Sequence, residues 1–287
     1  MNRLDIHKTY KLYLGGKFPR TESGRYYPVH DSSGNLLANM CLASRKDFRN
    51  AVVLARKAQP AWKRVTALNK GQILYRIAEM LEARKAQFIT ELSAHGLSQQ
   101  SAKKEVEAAI DSLVYYAGWS DKYQQLFSTV NPVSSSHFNF SVVEPVGVVA
   151  IKAPETPGLL GLVSMLAPAV VGGNTVIILA SEQQPLTAIS FAEVLHSSDV
   201  PGGVVNILTG KEQELISHMA THMDVNALVY CGSDKTVRQS ISELSSDNLK
   251  RTIFYNQDHW DKAQGESPYI IEATQELKTT WHPTKAS

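Results

Sequence analysis

The stretch VVEPVGVVAIKAPETPGLLGLVSMLAPAVVGGNT, Val142 to Thr175, decides the fold. Val146 to Lys152 is a short, continuously apolar run, followed by a Pro-containing turn at Pro154-Glu155-Thr156-Pro157-Gly158 and then by an apolar helix. Ser164 and Pro168 interrupt the longest apolar run, Gly158 to Gly173, which is too short to span a bilayer. It reads as a core helix.

Downstream the same alternation continues. Strands are expected at Thr175–Ala180, Val204–Leu208, Ala227–Tyr230 and Thr252–Tyr255, with helices at Pro185–His196, Glu212–Thr221 and Lys235–Leu244. Strands that are apolar throughout and separated by helices predict an α/β chain: a Rossmann-like parallel sheet with helices on both faces. Upstream, Tyr10 to Ala43 reads as small strands at a domain edge. Ser44 with Asp47 forms a capping-box-like helix start. Leu68–Leu97 and Ala102–Tyr123 read as two long amphipathic helices. Gln124–Ser136 reads as a polar surface connection, and His137–Val149 as a strand entering the core.

Composition excludes several classes. The chain has 287 residues, 43% hydrophobic and 20% charged, with net charge +2. It is therefore long enough to bury a core without disulfides. It shows no electrostatic footprint for nucleic acid or an anionic membrane. Cys41 and Cys231 have no metal or redox spacing, and Met1–Asp5 lacks a signal-peptide apolar core, so a cytoplasmic protein is expected. Asn139-Phe140-Ser141 reads as a chance glycosylation triplet.

The phrases Ala167-Pro168-Ala169, Gly173-Asn174-Thr175-Val176 and Pro201-Gly202-Gly203-Val204-Val205-Asn206 resemble the aldehyde dehydrogenase superfamily. The likeness covers nearly the whole chain and is strongest to the degenerate second half of the two-part members called family sixteen. It implies four segments: an N-terminal helical region at 1–136, an oligomerisation hairpin at 137–151, the Rossmann-like core at 152–258, and a tail at 259–287. Leu277–Trp281 in that tail resembles the family's C-terminal pairing strand. The catalytic domain that the family places between the core and that strand is expected to be absent.

The resemblance also permits a test of the chemistry, which in this family needs a thiolate, an oxyanion donor, a base and a bound nicotinamide. The family's nucleophile lies in the absent domain. Cys41 falls in the N-terminal edge segment, and Cys231 matches a Thr of the family's Phe-Thr-Gly-Ser turn. Both read as small apolar packing residues. The oxyanion Asn is replaced by Thr156; loss of such a donor costs on the order of 10²–10³ in turnover. The Glu base is replaced by Tyr255, a phenol whose ordinary pKa is about 10.

For the cofactor, the family's ribose-binding Lys is Leu179 while its Glu remains as Glu182. The phosphate-side turn keeps Ser233, but a family Gly has become Val237. Glu182 and Ser233 are either remnants of an NAD site or, in the plainer reading, a surface carboxylate and a helix cap. No cofactor, or weakly held NAD(P), is expected. His218 and His222 have the spacing of a metal pair, but Met219 stands where HExxH has Glu, so no metal site is expected. Tyr115, Tyr116, Trp119 and Tyr123 read as packing residues.

The expected function is that of a pseudoenzyme, an assembly or regulatory module. Its partner would be an aldehyde dehydrogenase domain in cis or in trans, or a second copy. Two alternatives stay open: aldehyde oxidation with catalytic residues supplied by another chain or domain, and a weak dinucleotide sensor.

Overall fold

The computed structural model describes residues 8–255, 260 and 265–284. Asn256–Asp258, with which the expected core segment closes, lie outside the described residues.

Five strands form an all-parallel sheet: β5 (Val148–Lys152), β6 (Thr175–Leu179), β7 (Val205–Leu208), β8 (Ala227–Cys231) and β9 (Arg251–Tyr255). Their order is β7-β6-β5-β8-β9, so the chain reverses direction across the sheet at β5. The sheet needs cover on both faces because its central strands are apolar at successive positions. Val149, Ile151, Val176, Ile178 and Val229 pack into the cluster that holds α6 (Gly158–Val171) and α7 (Pro185–His196). Val148, Ala150, Ile177, Leu179, Leu228 and Tyr230 pack into the opposite cluster. That cluster holds α1 (Arg45–Arg64), α8 (Glu212–Thr221) and α9 (Lys235–Ser246). By the same period of two, Lys152 belongs to the α8 and α9 face.

The N-terminal hairpin, β1 (Tyr26–His30) with β2 (Leu36–Cys41), leads into α1. Ser44 and Asp47 form the expected capping box, with Ser44 N donating to Asp47 Oδ2 at 2.8 Å. Two expectations change here. The helix read over Leu68–Leu97 is two helices, α2 (Ala67–Ala83) and α3 (Lys85–Ala94), because Arg84 leaves helical geometry. Its guanidinium bonds Glu193 of α7 at 2.5 Å, so tertiary docking turns the chain. The segment read as a plain connection carries α5 (Tyr123–Phe127) and β3 (Thr129–Asn131), after α4 (Gln99–Trp119). Asn131 Nδ2 donates to Asn139 Oδ1 at 2.6 Å and to Ser141 Oγ at 2.8 Å, which fixes β3 on its neighbour.

That neighbour is β4 (His137–Pro145), the middle strand of a separate three-stranded antiparallel sheet. The tail reaches it through α10 (Pro268–Ala273) and β10 (Gln275–Pro283), which pairs with β4 from Gln275↔Pro145 to Pro283↔His137. Buried Asn174 ties tail to core: its Oδ1 accepts from Gly147 N at 2.9 Å and its Nδ2 donates to Thr274 O at 3.1 Å. Among the described residues no helix is long and apolar enough to cross a membrane.

Candidate functional site: the carboxyl edge of the parallel sheet

In an open parallel sheet, ligands bind outside the carboxyl ends of the strands where the strand order reverses. Here that point lies beyond β5, between β6 and β8. The six positions read against the family's oxyanion donor, base and cofactor residues lie at this edge. Thr156 is exposed on the β5–α6 turn, and Leu179 ends β6 with its side chain buried. Glu182 follows β6, Ser233 and Val237 lie at the start of α9, and Tyr255 ends β9.

The sequence reading missed what fills the space between them. Lys152 ends β5 with its side chain 1% exposed, and its Nζ lies 2.5 Å from Glu155 Oε1 and 3.7 Å from Glu212 Oε2. It also donates to Ala153 O at 2.8 Å. Glu155 Oε2 accepts from Glu182 N at 2.8 Å, Gln183 N at 3.2 Å and Ser181 Oγ at 3.1 Å. Glu182 has both oxygens engaged, accepting from Lys211 Nζ at 2.9 Å and Glu212 N at 2.6 Å. Tyr230 Oη donates to Glu212 Oε1 at 3.1 Å. Tyr27, from the N-terminal hairpin, adds a buried ring over which Lys211 Nζ sits at 5.1 Å. The available signal was the charge that ends VVAIK, Lys152, together with an acid a few residues after each of β5, β6 and β7.

The helix starts on this edge are also taken. Glu105, from α4, accepts from Leu159 N at 2.9 Å and Leu160 N at 3.3 Å, and Gln184 Oε1 accepts from Gly158 N at 2.7 Å. The amides at the start of α6 are therefore satisfied by buried side chains. At α9 the cap is Asp234, not Ser233: its Oδ1 accepts from Thr236 N at 2.8 Å and Val237 N at 3.2 Å. Ser233 is exposed. The Tyr230 ring lies against Gly232 so closely that a Cβ there would come within 2.6 Å of it.

These contacts set the local electrostatics. Burial pushes the Glu155 carboxyl up, but Lys152 and the backbone amides outweigh it and hold the group below its ordinary value. Glu212 moves the other way: burial raises it, and the attraction of Lys152 offsets this only in part. Burial also pushes the Cys231 thiol up to about 12, which denies it thiolate character at neutral pH. The Tyr255 phenol is raised by burial and then by Cys231, so it cannot serve as a base.

The dinucleotide that the resemblance implies does not fit this edge. Three carboxylates, Glu155, Glu182 and Glu212, stand against two ammonium groups, Lys152 and Lys211, in the space it would enter. Asp234 holds the α9 amides that a pyrophosphate would take. Leu179 offers no donor. Among the described residues no group of three or more His, Cys, Asp and Glu side chains could hold a metal ion.

Comparison with known proteins matches residues 19–278 to the aldehyde dehydrogenase family. The chain is 31% identical over 280 residues to retinal dehydrogenase 2 of Gallus gallus, covering 96% of this chain and 52% of that protein. It is 29% identical over 283 residues to cytosolic 10-formyltetrahydrofolate dehydrogenase of Mus musculus, covering 96% of this chain and 31% of that protein. The chain thus spans about half the length, or less, of these relatives. Among solved structures, PnpE from Pseudomonas sp. WBC-3 superposes with a TM-score of 0.81 at 29% identity, over 86% of this chain and 50% of that one.

Proposed function

Given that the chain belongs to the aldehyde dehydrogenase family, we propose that it is a non-catalytic member, a cytoplasmic assembly or regulatory module that pairs with a complete aldehyde dehydrogenase domain in trans or in cis. The observation that carries this reading is a crevice filled by the chain's own side chains in a molecule whose pairing sheet retains an open edge. On the chemical side, Thr156 and Tyr255 stand where the family has its oxyanion donor and base. Residues 256–274 alone join β9 to β10, where the family has its nucleophile-bearing domain.

On the pairing side, β10 is an edge strand exposed from Glu276 to Pro283, with Leu277 62% and Trp281 56% exposed. The opposite face of the same sheet presents Val130 and Phe138, and Phe140 stacks 5.5 Å from Phe138. Unpaired strand edges with apolar side chains template pairing with another chain. In complete family members, by the resemblance, this edge docks on the partner's catalytic domain. Two copies of this chain cannot supply that reciprocal contact.

Two measurements test the reading. Purified chain is expected to generate no NADH or NADPH from aldehydes and to show no micromolar heat of NAD binding. Steady NADH production, reproduced in a second purification, would sink the non-catalytic half. Co-expression with a complete family member, followed by sizing and cross-linking, is expected to give a mixed assembly that is lost when Leu277–Trp281 is deleted. A monomer that ignores every dehydrogenase offered, and is indifferent to that deletion, refutes the pairing half.

A further inference from the structure

His218 and His222 find a different setting from the metal pair their spacing suggests. His218 lies in the last turn of α8 and His222 caps its C-terminus, and both face α1 across a groove of about 310 Å³ whose other wall carries Arg45 and Arg49. No acidic side chain lines the groove. Of the surrounding acids, Glu214 takes Arg25 at 2.8 Å, Glu22 pairs with Lys46 and Asp47 is buried in the helix cap, which leaves Asp224, two residues beyond His222. Among the described residues neither Arg45 nor Arg49 has a carboxylate partner.

The local field is positive. Arg45 acts on His218, and Lys250, Arg49 and Arg56 act on His222, with Asp224 the one opposing charge. His222 Nδ1 accepts from Asp224 N at 3.2 Å, so the neutral ring carries its proton on Nε2 and is already a donor. Phe48 lies edge-on to that ring at 5.9 Å and fixes its plane.

We propose that this groove binds a phosphate group, free or carried on a small ester. Arg45 and Arg49 hold it from one wall, and His218 and His222 from the other. The chemistry matches on three counts. Guanidinium groups present paired N–H donors that suit phosphate oxygens. Two imidazoles supply further donors, while the Thr221 hydroxyl, which donates to Ser217 O at 2.9 Å, lines the wall between them. The volume suits a small ligand and not a dinucleotide. The groove lies on the outer face of the α1 and α8 layer, so it is independent of both the filled crevice and the pairing sheet.

Calorimetric titration of the full chain at low ionic strength with inorganic phosphate, and separately with glycerol 3-phosphate, tests this. NMR signals of the histidine rings are followed in parallel. Saturable one-to-one binding of at least the free ion is expected, with shifts in the His218 and His222 rings and none in His30. Arg45→Gln and Arg49→Gln should each weaken binding roughly tenfold, the loss of one charge-assisted pair. Lys103→Gln, the same change in net charge on α4, should alter it by less than about twofold. Equal affinity for the two probes assigns recognition to the phosphate group, and exclusion of the ester narrows it to the free ion. Failure to saturate, histidine rings that do not respond, or a Lys103→Gln effect equal to that of Arg45→Gln would overturn the proposal. Should either arginine variant misfold, the ring titration of the unmodified chain decides.

Discussion

Replacing Lys152 by methionine is expected to lower the free energy of unfolding at pH 7.5 by about 3 kcal/mol, the low end of what breaking a buried ion pair costs. The low end applies because Glu155 and Glu212 are each about a quarter exposed, although Lys152 itself is 1% exposed. Methionine preserves most of the volume, so the loss reports charge. Without the ammonium, Glu155 keeps its amide partners and Glu212 keeps Tyr230, but both face each other and Glu182 uncompensated. Lys152→Met with Glu155→Gln and Glu212→Gln should recover most of the loss.

The pH dependence has a definite sign. In the unmodified chain Glu155 is held below its ordinary value, so its stabilisation is present above the unfolded carboxyl pKa and is lost as pH falls. Glu212 is raised, so its contribution is full below the unfolded pKa and is lost as pH rises through its folded value. Removing Lys152 moves both carboxyls upward. The deficit of the variant should therefore be largest at pH 7.5 and shrink toward pH 5. Urea unfolding at the two pH values measures it. A deficit that does not change with pH, or a triple variant no better than the single one, would show that the pairing contributes little.

The contrast between what the sequence revealed and what it concealed follows from the range of the interactions. β5, β6 and β8 were legible because five-residue runs of buried side chains leave no alternative to a covered sheet. α7 and α8 were legible to the residue, helped by Pro185 at a first helical turn and acids at the start of the other. The break at Arg84 was hidden, since no Gly or Pro marks it and its cause is Glu193, far along the chain. β3 was hidden because Thr129–Asn131 is short and polar and becomes a strand only through Asn139 and Ser141. The same holds for the site. The substituted positions could be read one at a time, but Lys152, Glu155, Glu212 and Tyr230 meet only because the strand order places β8 beside β5.

Glu105→Ala is the second large effect expected, a loss of about 3 kcal/mol, because it strips the start of α6 of its acceptor. Glu105 is 8% exposed and takes the amides of Leu159 and Leu160. Those amides open a helix that is buried from Gly158 to Val171, where no solvent replaces a lost partner. Each buried donor left unpaired costs about 1–3 kcal/mol, and the helix start also loses a negative charge favourable to its dipole. Burial nonetheless dominates the titration of this carboxyl: it raises the pKa, and the two amides only partly offset that. A group raised in this way stabilises fully below its unfolded pKa and less as pH climbs through its folded value. Glu105→Gln keeps an oxygen acceptor and removes the buried charge, so it should stay within about 1 kcal/mol of the unmodified chain at pH 7.5. Unfolding curves of the two variants side by side settle the matter. If glutamine costs as much as alanine, the charge and not the acceptor holds α6. If both are harmless, the helix start is not where the chain has replaced a ligand with its own side chain.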